Sequence, residues 1–316
     1  MNARAPRARS TAPSTIGVAR CWTLSLLEGQ TNASITPARI VKARLCVEGA
    51  RAMARFCDER SVPIRRCGKV VVATEPGELP RLLEIHRRGL ANGVEGLSIL
   101  GPGELREVEP ACRGLRALRV KGAAITDFGA VTAAFAAIVA AGGGEVRTGA
   151  RVTAILRCGG GLVLETEGGA VPARCAVNCA GLHSDRIARL AGADPGVAIV
   201  PFRGEYFEIG IVRSRTVNGL VYPVPDPDLP FLGVHLTKRL DGGVLAGPSA
   251  VLALEREGYR RAGFNLRDMV DLAGFAGFWR MARRNWRSGA SELWRSLNKR
   301  AFLRALQKLA PDLRAE

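Results

Sequence analysis

The spacing of apolar positions changes several times along the chain, and those changes divide it. Residues 1–40 hold no sustained periodicity and set Pro6, Pro13 and Pro37 among small residues, so they read as poorly ordered or foreign to the fold. From Lys42, the residues Leu45, Val47, Ala50, Ala54 and Phe56 predict a helix to about Glu59. Lys69-Val-Val-Val-Ala-Thr74 is a β-branched run, which marks a buried strand. Leu79, Leu82, Leu83 and Leu90 predict a helix over 78–92, stopped by Asn92-Gly93. Residues 101–110 read as a short helical turn closed by proline. Asp127 is placed to cap a helix over 128–141 that ends in Gly142-Gly-Gly144. Short strands are expected at 145–147, 151–156, 162–167 and 174–178, the last feeding a helix from Ser184 to about Gly192. Beyond it the pattern is mainly β, at 199–209, 220–224, 231–236 and 243–246. From Leu266 it is helical and basic, with Trp279, Trp286 and Trp294 on one apolar side. This order predicts an α/β or α+β plan in which two domains exchange chain segments.

With 316 residues, 47% of them hydrophobic, the chain can bury the core of one large domain or two interleaved ones. Its formal charge of +17 favours anions as partners, whether nucleic acid, acidic lipid or small carboxylates. The excess is uneven: the first 27 residues hold four Arg and no acid, and residues 280–304 hold eight Lys or Arg against Glu292 alone. No helix-turn-helix, RRM or zinc-finger pattern accompanies it, so no specific nucleic-acid partner is expected. A solvated basic face, a membrane surface or an acidic substrate remain open. Eight cysteines without a CxxC pair, and three histidines, make a metal site poorly supplied. They read as reduced, mostly buried thiols of a cytoplasmic protein. The Arg-rich start has no secretory core with a cleavage site. The longest apolar stretch, 130–141, is far below the ~20 residues that cross a bilayer. The expected location is cytoplasmic, with peripheral contact to the inner membrane left open.

Three clusters carry candidate chemistry. In Val177-Asn-Cys-Ala-Gly-Leu-His-Ser-Asp-Arg186 an apolar strand runs into Ala180-Gly181 before a helix opens at Ser184 or Asp185. A glycine there lets the backbone approach a flat or anionic ligand, and a new helix offers free N–H groups; many α/β loops share these traits. In Val200-Pro-Phe-Arg-Gly-Glu-Tyr-Phe207, Arg203 lies among apolar residues and calls for an anionic partner: a ligand carboxylate or the neighbouring Glu205. The third joins Tyr222-Pro-Val-Pro-Asp-Pro227 to Phe231-Leu-Gly-Val-His-Leu-Thr237. His235 is the best general base among three histidines, against the alternative of a satisfied core residue. Asp241-Gly-Gly243 reads as a hairpin turn, and Ala246-Gly-Pro-Ser-Ala250, with Gly247, as a further close-approach loop.

Taken in order, residues 177–192 (VNCAGLHSDRIARLAG), 199–208 (IVPFRGEYFE), 221–237 (VYPVPDPDLPFLGVHLT) and 241–250 (DGGVLAGPSA) resemble the L-2-hydroxyglutarate oxidase/dehydrogenase family. That family lies within the D-amino-acid-oxidase-like flavoproteins. Residues 42–51 (KARLCVEGAR), 66–74 (RCGKVVVAT) and 143–155 share the likeness, which covers most of 42–311. The resemblance implies an α/β chain with an incomplete FAD-binding Rossmann-like domain (42–65 and 140–195) interleaved with a mainly β substrate domain (66–139 and 196–265). Residues 1–41 stay unmatched, and 266–316 form a basic helical tail. FAD would meet Val152, Ala180, Gly181 and Gly247. Arg203, Tyr222 and His235 would hold the carboxylates of a small dicarboxylate 2-hydroxyacid and take its hydroxyl proton. Hydride would pass from C2 to the flavin, and oxygen or a membrane quinone would accept the electrons.

The chain departs from this family at both ends. Residues 1–40 contain no GxGxxG, Gly17 and Gly29 being isolated, and the His- and Ser-rich segment expected before residue 42 is replaced. The family continues, past the helical region, with strands that return to the FAD domain. A parallel sheet without its first central strand exposes edges, which predicts aggregation or partial folding. The expectations are therefore an FAD enzyme with a displaced start and stop, or a truncated, non-catalytic remnant with no flavin bound. A basic surface-binding protein is a third, minor reading.

Overall fold

The computed structural model describes residues 41–226 and 233–314, without the side chains of Ile211 and Val212. The expectation for 1–40 and the predicted strand start at Phe231 lie outside the described residues. The first half runs α1 (Val41–Glu59), β1 (Ile64–Arg65), β2 (Lys69–Ala73), α2 (Leu79–Ala91), β3 (Leu97–Leu100), α3 (Pro102–Val108), β4 (Arg116–Val120), β5 (Ile125–Thr126) and α4 (Phe128–Ala141). A meander follows, β6 (Val152–Cys158), β7 (Gly161–Thr166) and β8 (Gly169–Ala173), and then α5 (Ser184–Leu190). The rest is β9 (Phe202–Ile209), α6 (Ile211–Ser214), β10 (Leu220–Pro223), β11 (His235–Lys238), β12 (Val244–Leu252), α7 (Leu266–Ala273), α8 (Ala276–Leu297) and α9 (Lys299–Gln307).

The fold is mixed α/β around a seven-stranded sheet in the order β3-β4-β2-β10-β11-β12-β9. Its strands pair antiparallel except at the centre, where β2 and β10 run parallel with Lys69 opposite Leu220 and Val72 opposite Pro223. Strand alternation divides the side chains between two cores. Val70, Val72, Val221, Leu236 and Ala246 face Phe302 and Leu306 of α9. Val71, Leu118, Leu220 and Tyr222 face Val47 of α1 and Leu82 and Ile85 of α2. Coverage on both sides is why β2 reads as one apolar run: all five of its residues are buried.

Local signals did place several ends. Asp127 Oδ1 accepts from Gly129 N at 2.8 Å and Ala130 N at 3.2 Å, capping α4 as expected. Gly159 (φ 50°) and Gly160 (φ 89°) join β6 to β7 in the left-handed pair that a tight hairpin turn needs.

Other expectations fail for physical reasons. Residues 145–147 and 174–178 are not strands: each lacks a ladder partner among the described residues, and Val146 and Val177 are 53% and 84% exposed. α4 is apolar but for Thr132, yet only Val131 is buried while Phe135, Ile138 and Val139 are exposed. Strands β3, β4 and β8 escaped notice because they are short or broken by polar residues, as in Arg116-Ala-Leu-Arg-Val120.

The tryptophans of α8 do not form its buried side. Glu292 and Ser296 turn inward, and Trp279, Trp286 and Trp294 are each more than half exposed. Polar anchoring selects this face: Glu292 accepts Ala250 N of β12 at 3.1 Å, and Ser296 Oγ donates to Glu205 of β9.

Leu118, fully buried in the centre of β4, is the position where truncation reads the value of this packing. Leu118→Ala is expected to lower unfolding free energy by about 2–5 kcal/mol in a urea titration, the range for a cavity that the neighbours cannot refill.

Candidate active site

Register brings two of the candidate residues together. β10 and β11 pair antiparallel with Val221 opposite Leu236, so Tyr222 and His235 are cross-strand partners on one face. Their rings stack with centroids 3.9 Å apart and planes 15° from parallel. From β2, on the other side of β10, Lys69 sends its Nζ to 3.4 Å from the centroid of the Tyr222 ring. Two groups cannot share one ring face at such distances, so cation, phenol and imidazole form a column across three adjacent strands. All three side chains are buried.

The imidazole is held in one tautomer. His235 Nδ1 lies 3.0 Å from the carbonyl oxygen of Gly233, and a carbonyl only accepts. Nδ1 therefore carries the proton and donates, leaving the lone pair on Nε2. Burial pushes the His235 pKa down to about 3; the Gly233 hydrogen bond works against that shift and the Lys69 charge adds to it. The ring is neutral at any pH near 7.

Gly247 sits opposite His235 in the β11–β12 ladder, beside a register shift. With φ of 150°, a Cβ there would come within 2.8 Å of both Glu205 O and Tyr206 Cδ1. The close approach that a glycine permits at 247 is thus made by the neighbouring strand of this chain.

Arg203 is elsewhere. It alternates with Glu205, Phe207 and Ile209 on the face of β9 that meets α8 and α9, the reverse of the face holding Tyr222 and His235. Its Nη2 and Nε donate to Glu205 Oε1 at 2.6 and 3.1 Å, and its Nη1 to the Arg260 carbonyl at 2.9 Å. Glu205 also accepts from Arg261 at 2.8 Å and from Ser296. Burial would raise this carboxyl, but the bonds from Ser296, Arg203 and Arg261 outweigh it and hold the group below its usual range. Of the two partners the sequence left open for Arg203, the structure supplies Glu205.

The Ala180-Gly181 turn forms a second assembly. Residues 181–183 make a short 3₁₀ turn into α5, and Gly181 has φ of 53°; a Cβ built there meets nothing within 4 Å. Asn178 braces the turn, accepting from Ala180 N at 3.2 Å and donating to the Ser184 carbonyl at 2.8 Å. Arg256, from the loop after β12, donates to the Leu182 carbonyl at 2.6 Å and grips both oxygens of Asp185, with Nη2 to Oδ2 at 2.8 Å. Burial would raise the Asp185 carboxyl, yet the bonds from Arg256, Ile199 N and Arg186 N hold it well below the usual range. Asp268 accepts in turn from Arg256 N at 2.7 Å and Arg186 at 2.6 Å. α5 packs on β6, the strand that Val152 begins.

These positions bear on FAD, which the resemblance implies. The open space at Gly181 and the left-handed backbone there fit a cofactor edge lying against the turn. No Gly-x-Gly-x-x-Gly run occurs among the described residues. No cluster of three or more His, Cys, Asp or Glu side chains forms a metal site among them either. The thiols are less buried than expected: Cys57 and Cys112 are buried, while Cys158, Cys175 and Cys179 are exposed, two of them on the unpaired segment before Gly181. Sequence reading missed two residues, Lys69 and Arg256. A lysine heading a β-branched run was the available signal for the first, and nothing local marks the second.

The family described as FAD dependent oxidoreductase matches residues 14–313. L-2-hydroxyglutarate dehydrogenase of Indibacter alkaliphilus is 40% identical over 274 residues, covering 86% of this chain and 69% of that protein. The Escherichia coli K12 protein of that name is 42% identical over 274 residues, covering 86% and 65%. The human mitochondrial one is 38% identical over 285 residues, covering 86% and 62%. The chain spans about two thirds of the length of these relatives. Among solved structures, FAD-bound L-alpha-glycerophosphate oxidase from Mycoplasma pneumoniae aligns with TM-score 0.64 at 23% identity over 72% of this chain and 61% of that one. Glycine oxidase from Geobacillus kaustophilus aligns with TM-score 0.60 at 19% identity over 71% and 60%. These two likenesses concern the fold alone.

The Asp185–Arg256 pair makes a stability prediction. Arg256→Met leaves the buried Asp185 carboxylate with only Arg189, at 3.5 Å, as a cationic partner, and is expected to lose about 3 kcal/mol in urea unfolding at neutral pH. Because the folded Asp185 pKa is depressed, the pair's contribution is present above the ordinary aspartate range and lost as pH falls below it. Asp185→Asn should flatten that acid slope.

Proposed function

Because this chain belongs to the FAD dependent oxidoreductase family, we propose that it serves the oxidation of a 2-hydroxyacid, with L-2-hydroxyglutarate as substrate and 2-oxoglutarate as product. The observation that carries the reading is His235: a buried, neutral imidazole whose proton is fixed on Nδ1, stacked on Tyr222. Its Nε2 accepts the substrate hydroxyl proton as the hydride leaves C2, and Tyr222 keeps the ring aimed. FAD, when bound, supplies the hydride acceptor. Ala180 and Gly181 in the open turn, and Val152 at the start of β6, are the residues here that would hold the cofactor. Gly247 shapes the strand behind His235. Arg203 enters the reading through Glu205, which it fixes between β9 and α8. A small dicarboxylate fits the net charge of +17.

The electron acceptor in this reading is oxygen or a membrane quinone. Peripheral membrane contact is supported by α8, where exposed Trp279 and Trp286 stand beside Arg280 and Arg283. No helix among the described residues is long and apolar enough to cross a membrane.

A second reading, a family member that binds no flavin, is favoured by one observation. The segments around Val146 and Val177 have no ladder partner among the described residues, and Ile138 and Val139 of α4 are exposed. The visible spectrum of the purified chain decides between them: flavin absorbance near one per chain supports the enzyme, and none supports the second reading.

With flavin present, His235→Asn is expected to lower turnover of L-2-hydroxyglutarate about 10²–10⁴-fold while flavin content holds. Unchanged turnover removes His235 from the mechanism. For the membrane contact, the chain should co-sediment with vesicles rich in anionic lipid and less so with neutral ones. Trp279→Ser with Trp286→Ser should weaken that binding.

A further inference from the structure

The column at the sheet centre contains a charged group that the proposed chemistry does not use. Lys69 begins β2, a strand buried from end to end. Its Nζ stands 3.4 Å over the Tyr222 ring, where the negative face of the aromatic attracts a cation. The opposite face of that ring carries the His235 imidazole. The phenol thus separates the lysine ammonium from a ring that would become positive on taking a second proton. Repulsion between the two, across a ring that excludes water, works against protonation of His235.

We propose that Lys69 is a positioning residue for His235, its charge acting through Tyr222 to keep the imidazole in the neutral form that can accept a proton. The column forms because β2, β10 and β11 are adjacent strands, with Tyr222 on the middle one. Among the described residues, Lys69 is the charged side chain that acts on His235. On β10 the titratable neighbour is Tyr222, and opposite His235 on β12 stands Gly247, which has no side chain. The helices on this face bring apolar groups to the cluster around Tyr222: Val47 from α1, Leu82 and Ile85 from α2. Burial supplies the larger part of the effect on His235, and the lysine adds to it in the same direction.

The meaning of this inference rests on reading His235 as the base, but its test needs neither flavin nor turnover. The chain has three histidines, so the His235 ring resonances can be assigned by their loss in His235→Asn. The pH is then lowered from 8 until the protein begins to unfold. In the native protein His235 should stay neutral throughout. In Lys69→Met, and in Lys69→Gln, it should begin to protonate inside that window, its midpoint raised by about one pH unit or more. Lys69→Arg, which keeps the charge, should behave as the native protein does. A lysine that merely fills space predicts something else: equal His235 behaviour in the charged and neutral variants. That result overturns the proposal, and so does a His235 that stays neutral in both neutral variants. If Met and Gln variants both fail to fold while the Arg variant folds, the role is structural and the proposal also falls. Absence of flavin would count against the proposed function and leave this titration readable.

Discussion

The parallel ladder between β2 and β10 is the constraint on which the rest depends. Lys69 and Leu220 are distant in sequence, and the whole meander and α5 lie between them, yet they pair at the centre of the sheet. Closing so long a loop is entropically unfavourable, and the return is the burial of both faces of both strands. Val71 and Leu220 go to one core, Val70 and Val221 to the other. The same ladder aligns Lys69 with the far side of Tyr222. Functional geometry and core geometry therefore have a single origin, and a slip of one residue in β10 would send Tyr222 to the α9 side and away from His235.

Much of this was legible in the sequence, though unevenly. The run Lys69-Val-Val-Val-Ala-Thr74 announced a buried strand because doubly covered strands carry no polar alternation. Asp127 announced the start of α4 because capping is a local matter. Tyr222 and His235 were identified one by one, but their stacking depends on a register that only the folded sheet sets. Arg203 shows the limit from the other side. An arginine among apolar residues must find an anion, and which one depends on the face to which its strand turns it; here that face holds Glu205 and Ser296. Arg256 had no local signal, since its partners Leu182 and Asp185 come from a distant turn.

The failed strands at 145–147 and 174–178 carry a related lesson. Both segments have the apolar character of strands, and hydrophobic pattern is a statement about what a segment could bury, given a neighbour. Among the described residues no neighbour is present, so Val146 and Val177 face solvent. Periodicity reported a tendency faithfully and the structure reports whether it is satisfied. The contrast with the seven-stranded sheet is sharp, since there each strand has its ladder. The Ala180-Gly181 turn is tied to the loop after β12 by Arg256.

The same competition between apolar and polar demands explains α8. By pattern alone its tryptophans should be inside, and burying them would be worth a few kcal/mol each. Glu205 opposes that arrangement. It sits on the inner face of β9 with Arg203 attached, and a buried carboxylate needs its remaining hydrogen bonds more than the helix needs a dry indole. Ser296 meets that need, and Glu292 does likewise for Ala250 N, so the helix rotates its polar stripe inward. Trp286 and Trp294, which follow the kink at Asn285, are left outside as a consequence of satisfying charge within, while Trp279, before the kink, donates its indole N–H to the Ala273 carbonyl at 2.8 Å. An exposed aromatic and basic face arises here from the sheet's own polar residues. Any partner of that face reads a surface set by Glu205 and Arg203 on the far side of the helix.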